Sequence, residues 1–374
     1  MPAISRYASK YKTIHLVFDV YKQSSLKAET RSKRGDGGRR KVTSNNSLPS
    51  CWSNFLNHNQ NKTELFEFLA SRVAQLSADN MVIVTTGPSV LSTNEIPLEG
   101  LDKCSHEEAD SRIFVHAKYA VLQGSKTVTV KANDTDIVVI AISTFPILQN
   151  LGLVELWVAF GQGQNLRWIS VHDLCQFLGQ EKSTGMSFFH AFTGCDTVSA
   201  FRGKGKVTAW QTWNIYPEVS PVFSKLSQYP VCVNDGDLQV LEKFVILMYD
   251  RSSSAESVDD ARLELFARKQ RSYEAIPPTS AALLQHTRRA AYQAGCVWGQ
   301  ATQCQLVTED PSEWGWKKVG SEWQIFWTTK DPIFKSCQQL VKCGCTGKAG
   351  CTGRCKCYNA CLPCTALCTC KCQL

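Results

Sequence analysis

Ten of the chain's eighteen cysteines fall within residues 343–372, in the pattern C-x-C-x5-C-x3-C-x-C-x3-C-x2-C-x3-C-x-C-x-C. So short a stretch cannot bury a hydrophobic core, so something must cross-link it. Disulfides between cysteines one or two positions apart are strained, whereas C-x-C and C-x2-C pairs bring two thiolates onto one tetrahedral ion. The other eight cysteines are scattered over the first 337 residues, the distribution of reduced thiols. The opening residues, MPAISRYASKYKT, lack the apolar stretch of a secretory signal. A dense cysteine tail on a chain expected to be intracellular argues for zinc, which would supply the tail's folding energy. A disulfide-rich tail is the alternative.

The rest of the 374-residue chain has room for two or three domains, and its 43% hydrophobic content reads as globular. The longest apolar runs, such as residues 137–142, fall far short of the roughly 20 residues that span a bilayer, so no membrane partner is expected. Strands are expected over residues 13–21 (TIHLVFDVY), 80–86, 127–132 and 136–143 (DIVVIAIS), with a hairpin of 154–160 and 166–170 around Gly161-Gln-Gly163. Helices are expected over 24–34, 62–76 with Thr63 as N-cap, 106–122, 171–178 and 185–194. This alternation predicts an α/β fold with a mostly parallel sheet flanked by helices. A polar linker at 252–259 leads to helices over 260–275 and 279–294, and four tryptophans in 314–327 suggest a small hairpin. The expected domains are a core over 1–250, a helical and tryptophan-rich extension over 251–336, and the cysteine tail over 337–374.

The net charge of +8 is unevenly placed. Residues 22–41 carry eight Lys/Arg against two acids, and residues 342–374 carry five Lys/Arg and no acid. Such local excesses suit a polyanion such as nucleic acid. A solvated loop and tail is the plain alternative.

Six acids sit at the ends of expected elements: Asp19, Glu108, Asp110, Asp134, Asp136 and Asp196. Element ends along one edge of an α/β sheet converge on a crevice. Carboxylates gathered there oppose one another's ionisation, and hard cations such as Mg²⁺ or Mn²⁺ would relieve the repulsion. Taken singly, Glu108 and Asp110 also read as helix N-terminal charges, and Asp134 as a turn residue. Of the nearby histidines, His106 adjoins the Glu108 motif and is the candidate to support it. His190, in FFHAF, reads as a core histidine.

Several of these segments together resemble the flap endonuclease family, the PIN-like 5′ nucleases. LVFDVYKQSSLKAETRSKR resembles the family's strand ending in a metal-binding aspartate and its following helix. That likeness gives Asp19 as a ligand, and Lys27 and Arg34 as the groups that touch the scissile phosphate. EEAD at 107–110 resembles the family's E-A-E signature, and NDTD at 133–136 its D-x-D strand. FTGCDTVSAFRGKGK resembles the stretch in which an aspartate, here Asp196, ligates the second metal and a glycine-rich turn grips duplex. Arg202, Gly203, Lys204, Gly205 and Lys206 would form that DNA-binding turn. The resemblance thus implies a PIN-like fold, a two-metal site and hydrolysis of DNA. The family's first strand, with a further aspartate, has no counterpart, because residues 1–18 contain no acid. A non-catalytic DNA- or protein-binding module on the same scaffold is the alternative.

The tail resembles the CXC, or tesmin-like, motif, in which nine cysteines hold three zinc ions and basic residues meet DNA. The candidate ligands are Cys343, Cys345, Cys351, Cys355, Cys357, Cys361, Cys364, Cys368, Cys370 and Cys372, one more than the motif needs. Lys348, Arg354, Lys356 and Lys371 are the tail's candidate DNA contacts. The chain also resembles a recurrent group of animal proteins tied to mobile elements, with HEEADTRI-, DTDV- and GCDTTSAF-GKGK-like motifs. A nuclear location is the expectation.

Overall fold

The computed structural model describes residues 4, 6–7, 9–22, 25–27, 37–76, 81–267 and 275–329, with Cys343, Cys345, Cys351, Cys355, Cys357, Cys364 and Cys368. It divides into two compact units, Met1–Phe326 and Trp327–Leu374.

In the larger unit, β1 (Thr13–Leu16) leads through α1 (Trp52–Asn57) and α2 (Asn59–Ala74) to β2 (Met81–Thr86), which pairs with it in parallel. A tight turn at Gly87 and Pro88 then returns β3 (Ser89–Ser92) antiparallel to β2. Next come α3 (Ala109–Leu122), β4 (Thr127–Ala132), α4 (Thr135–Asn150) and β5 (Glu155–Phe160), with β4 and β5 parallel. β6 (Arg167–Ser170) folds back antiparallel on β5. Helices α5 (Val171–Phe192), α6 (Lys206–Ile215), α7 (Ser220–Leu226), α8 (Asp235–Tyr249), α9 (Val258–Ala267) and α10 (Ser280–Ala291) follow. A π-helical turn, Tyr292–Val297, and the hairpin of β7 (Trp316–Val319) and β8 (Glu322–Ile325) complete the unit.

The α/β class holds, but the sheet is not one mostly parallel sheet. It is two three-stranded sheets, β1-β2-β3 and β4-β5-β6, each with one parallel and one antiparallel pair. Parallel neighbours need a crossover of about a dozen residues or more. The helices between β1 and β2 and between β4 and β5 provide it, whereas the turns before β3 and β6 are too short. Among the described residues, β1 and β4 have no ladder partner on their second edges.

Residues 136–143, expected as a strand, belong to helix α4. The eight-residue apolar run is ambiguous by itself, but six of the seven buried residues, Ile137, Ile140, Ala141, Thr144, Phe145 and Leu148, recur at helical spacing, with Ile142 the exception. Asp134 caps this helix by accepting from the Asp136 amide at 2.9 Å. Helix α2 begins at Asn59 after His58, so Thr63 is not its cap; the Thr63 hydroxyl donates to the Asn59 carbonyl instead. The helices expected at 171–178 and 185–194 are one element, α5, kinked at Gly179 with φ of 78°. Of the helix expected over 24–34, residues 25–27 alone are described, with residues 26 and 27 in a turn.

Strand β2 is buried on both faces, which accounts for its unbroken apolar run. Ile83 packs with Val90, Leu101, Val115 and Tyr119, while Val82 and Val84 pack with Ala70 and Val73. Helix α3 contributes Val115 and Tyr119 to that first cluster and Phe114, Ala117 and Val121 to the main core. It is pinned by Arg112, whose buried guanidinium donates to the carbonyls of Gly87, Pro88 and Ser89 in the β2–β3 turn. The main core runs without a break past residue 250: Leu283, Ala290, Ala294 and Trp298 join Leu156, Phe192 and Phe244.

Candidate functional site

Each part of the acidic group is set by local folding. Asp19 follows β1 and turns its Oδ1 to the Ala109 amide at 2.8 Å, satisfying an open N–H at the start of α3. The Val20 amide donates to the Glu107 carbonyl at 2.7 Å, tying the two segments together. Glu108 is the N-cap residue of α3, and Asp110 stands in its first turn. Asp134 follows β4 as the cap of α4, and Asp136 occupies that helix's first turn. Asp196 follows a tight turn at the end of α5. Gly194 there has φ of 113°, and a Cβ on it would meet the Ala200 Cβ at 2.8 Å, so glycine is required on both counts.

The ammonium of Lys27 lies among these acids. It stands 2.5 Å from Glu108 Oε1 and 3.6 Å from Asp196 Oδ2. Burial opposes its charge, but Glu108, Asp196 and Asp110 outweigh burial and hold it protonated. Lys27 alone does not offset burial and mutual repulsion at Glu108 and Asp110. Burial pushes the Glu108 carboxyl up; Lys27 offsets this only in part, and Asp19 and Glu107 add to it. Asp110 is pushed up to about 7, by burial and then by Glu108 and Asp134. Asp136 behaves differently. Burial works against its carboxylate, but a hydrogen bond from His190 Nε2 at 2.9 Å, with Lys27 and Lys206 adding, holds it below the usual range.

Lys27 and all six expected acids therefore belong to one electrostatic cluster. No three of those carboxylates bring oxygens within 4.8 Å of one another. Arg34 lies outside the described residues. His106 does not meet the acids: Nδ1 pairs with Ser111 Oγ and Nε2 with the Gln303 carbonyl, each at 2.7 Å, and burial drops its pKa to about 4. A histidine that does touch one of these six acids is His190, which the sequence presents as a core residue.

The basic turn divides into two parts. Arg202 and Gly203 are exposed, and Gly203 has φ of 68°. Lys204 lies over the Tyr249 ring at 5.2 Å. Gly205 is the N-cap residue of α6 and brings no side chain to its open amides. Lys206 points inward, donating to the carbonyls of His190 and Gly194 at 2.8 and 2.7 Å and to Thr193 Oγ1 at 2.9 Å. Burial pushes its pKa down to about 8.

In the smaller unit two sets of four thiols converge: Cys343, Cys357, Cys364 and Cys368, and Cys343, Cys345, Cys351 and Cys355. Cys343 belongs to both. The pairs Cys343–Cys351, Cys357–Cys368 and Cys351–Cys364 each stand 3.7 Å apart. Zinc–sulfur bonds of about 2.3 Å in a tetrahedron place sulfurs about 3.8 Å apart. The cluster could therefore hold zinc. Cys361, Cys370, Cys372, Lys348, Arg354, Lys356 and Lys371 lie outside the described residues.

Among the described residues no helix is long and apolar enough to cross a membrane. Neither a protein-family model, nor a curated protein, nor a solved structure matches the chain.

Proposed function

We propose that this chain is a divalent-metal-dependent nuclease that hydrolyses phosphodiester bonds in DNA. The observation that carries the reading is the excess of acid over base around Lys27, with Asp110 pushed up to about 7. The half-buried Glu108 and Asp110, both pushed up by burial and by neighbouring acids, stand with the other carboxylates as a donor set suited to Mg²⁺ or Mn²⁺. Asp19, Glu108, Asp110, Asp134, Asp136 and Asp196 are the residues that would hold two such ions. When bound, the ions would activate water and stabilise the oxygens on phosphorus. Lys27, already between Glu108 and Asp196, would counter the charge of the scissile phosphate, and Arg34 would join it. Gly203 and Gly205 let the backbone approach duplex phosphates. Arg202 and Lys204 add charge there, while Lys206 braces the turn from within.

We read the larger unit as a PIN-like domain on the strength of its acidic cluster, although its strands form two small mixed sheets and not the single mostly parallel sheet that fold would have. The tail, with about three zinc ions shared among its thiolates, would add DNA affinity, and the protein would act in the nucleus. One observation favours a non-catalytic binding module instead. Asp19 and Asp134 each commit an oxygen to a helix N-terminus, and among the described residues no three acids bring oxygens within 4.8 Å of one another.

The test is cleavage of 5′-flap, nicked-duplex and single-stranded DNA in Mg²⁺ and Mn²⁺ by the parent and by Asp134→Ala/Asp136→Ala. Cutting by the parent alone supports the nuclease. Cutting by neither, on folded and zinc-loaded protein, leaves the binding module.

A further inference from the structure

His190 lies near the C-terminal end of α5, six residues before Asp196, and is 7% exposed. Its Nε2 meets Asp136 Oδ1 at 2.9 Å across 54 residues of sequence. An ionised carboxylate only accepts, so Nε2 carries the proton and donates. The imidazole is held in its turn. The Trp298 ring centre lies 6.0 Å away, and the Lys206 ammonium grips the His190 carbonyl and two groups of the following turn. Asp136 Oδ2 has no hydrogen-bond partner among the described residues.

We infer that His190 is a positioning residue of the acidic site, anchoring Asp136 by Oδ1 so that Oδ2 is offered to a divalent cation in one orientation. The inference rests on the nuclease reading above. An aspartate left to itself samples several side-chain rotamers, and binding an ion would cost that freedom. A carboxylate already fixed by a donor meets the ion without that cost, which is why partners of ligating groups affect metal affinity without touching the metal. The arrangement also links the two halves of the site. Lys206, in the basic turn, holds the backbone of the residue that holds Asp136. A buried histidine that merely needs a partner makes a different forecast: replacing it would lower stability without singling out the metal.

The experiment is Mn²⁺ binding to the full, zinc-loaded chain, followed by loss of the free-ion paramagnetic resonance signal, with melting temperature measured beside it and no DNA present. Asp134→Ala/Asp136→Ala sets the background. His190→Leu keeps bulk but removes the donor, and His190→Gln returns an N–H near the place of Nε2. The expected result is binding about 10–100-fold weaker in His190→Leu, largely restored in His190→Gln. Should His190→Leu not fold, His190→Asn, whose amide falls short of Oδ1, takes its place in the comparison. Parent-like binding in the donorless variant, or equal weakness in both variants, overturns the positioning role and leaves the acidic site standing. A parent that binds no more Mn²⁺ than the double mutant overturns the nuclease reading and the inference with it.

Discussion

The ammonium of Lys206 donates to the Gly194 carbonyl at 2.7 Å, joining the first residue of α6 to the turn that presents Asp196. Lys206→Gln should therefore act on stability. Hydrogen bonds from a charged donor contribute about 1.5–3 kcal/mol, and the loss should appear in chemical denaturation. Lys204→Gln should act on DNA instead, lowering the slope of log K against log salt by about 1 with little change in stability. If Lys206→Gln moves the salt slope and not the stability, its inward hydrogen bonds do not govern its role.

Lys27 is the cation around which the acids gather. Lys27→Met leaves the part-buried Glu108 and the half-exposed Asp196 without their ammonium, a loss smaller than the ~3–5 kcal/mol that breaking a fully buried pair costs. We expect a lowered melting temperature that Mn²⁺ partly restores, since a second source of positive charge replaces the first. Melting with and without the ion checks this; a variant as stable as the parent in chelator would sink it.

Asp110 gives the chain a pH signature. Its carboxyl is raised from 3.8 to about 7 in the folded protein. Between those values the unfolded chain has released a proton that the folded chain still holds. The contribution of Asp110 to stability is therefore full below about pH 4 and is lost as pH rises towards 7. Asp110→Asn removes this dependence. The variant's melting temperature should gain on the parent's between pH 4.5 and 7.5, and Mg²⁺ should close the gap. A constant difference across that range, reported as approximate melting shifts, would contradict the raised carboxyl.

In the tail, Cys343 belongs to both thiol sets, whereas Cys345 belongs to one. Cys343→Ser should lower the zinc content by more than Cys345→Ser, as read by native mass spectrometry. Zinc uptake by the metal-free chain should release protons, because thiols bind as thiolates. Equal losses in the two variants would argue against a shared Cys343 thiolate.

Much of this arrangement can be read from sequence where signals are local. The β5–β6 hairpin follows from glycines between two strand-like runs, and the tryptophan hairpin from its alternation. Helix α4 was legible too, but only in a window longer than DIVVIAIS, because its burial period emerges when Thr144, Phe145 and Leu148 are added. The acids stand out as polar residues at element ends. That they share one cluster could not be read locally, since Asp19 meets α3 across 90 residues. His190 carries no signal at all. Flanked by Phe189, Ala191 and Phe192, it looks like core, and its partner is on another helix.

The α10 region bears on when this site comes into being. His286 Nε2 pairs with the Phe192 carbonyl at 2.8 Å, and the Thr197 hydroxyl donates to Gln293 Oε1 at 2.7 Å. The turn that carries Asp196 is thus braced from behind by residues made almost a hundred positions later. At about 5–20 residues per second, a ribosome would need about 5–20 s to supply that brace after Asp196 is polymerised. During that interval the nascent chain holds its acids without their final support. The turn that presents Asp196 is then completed only after the α10 region has been made, long after Asp19 and Lys27 have left the ribosome.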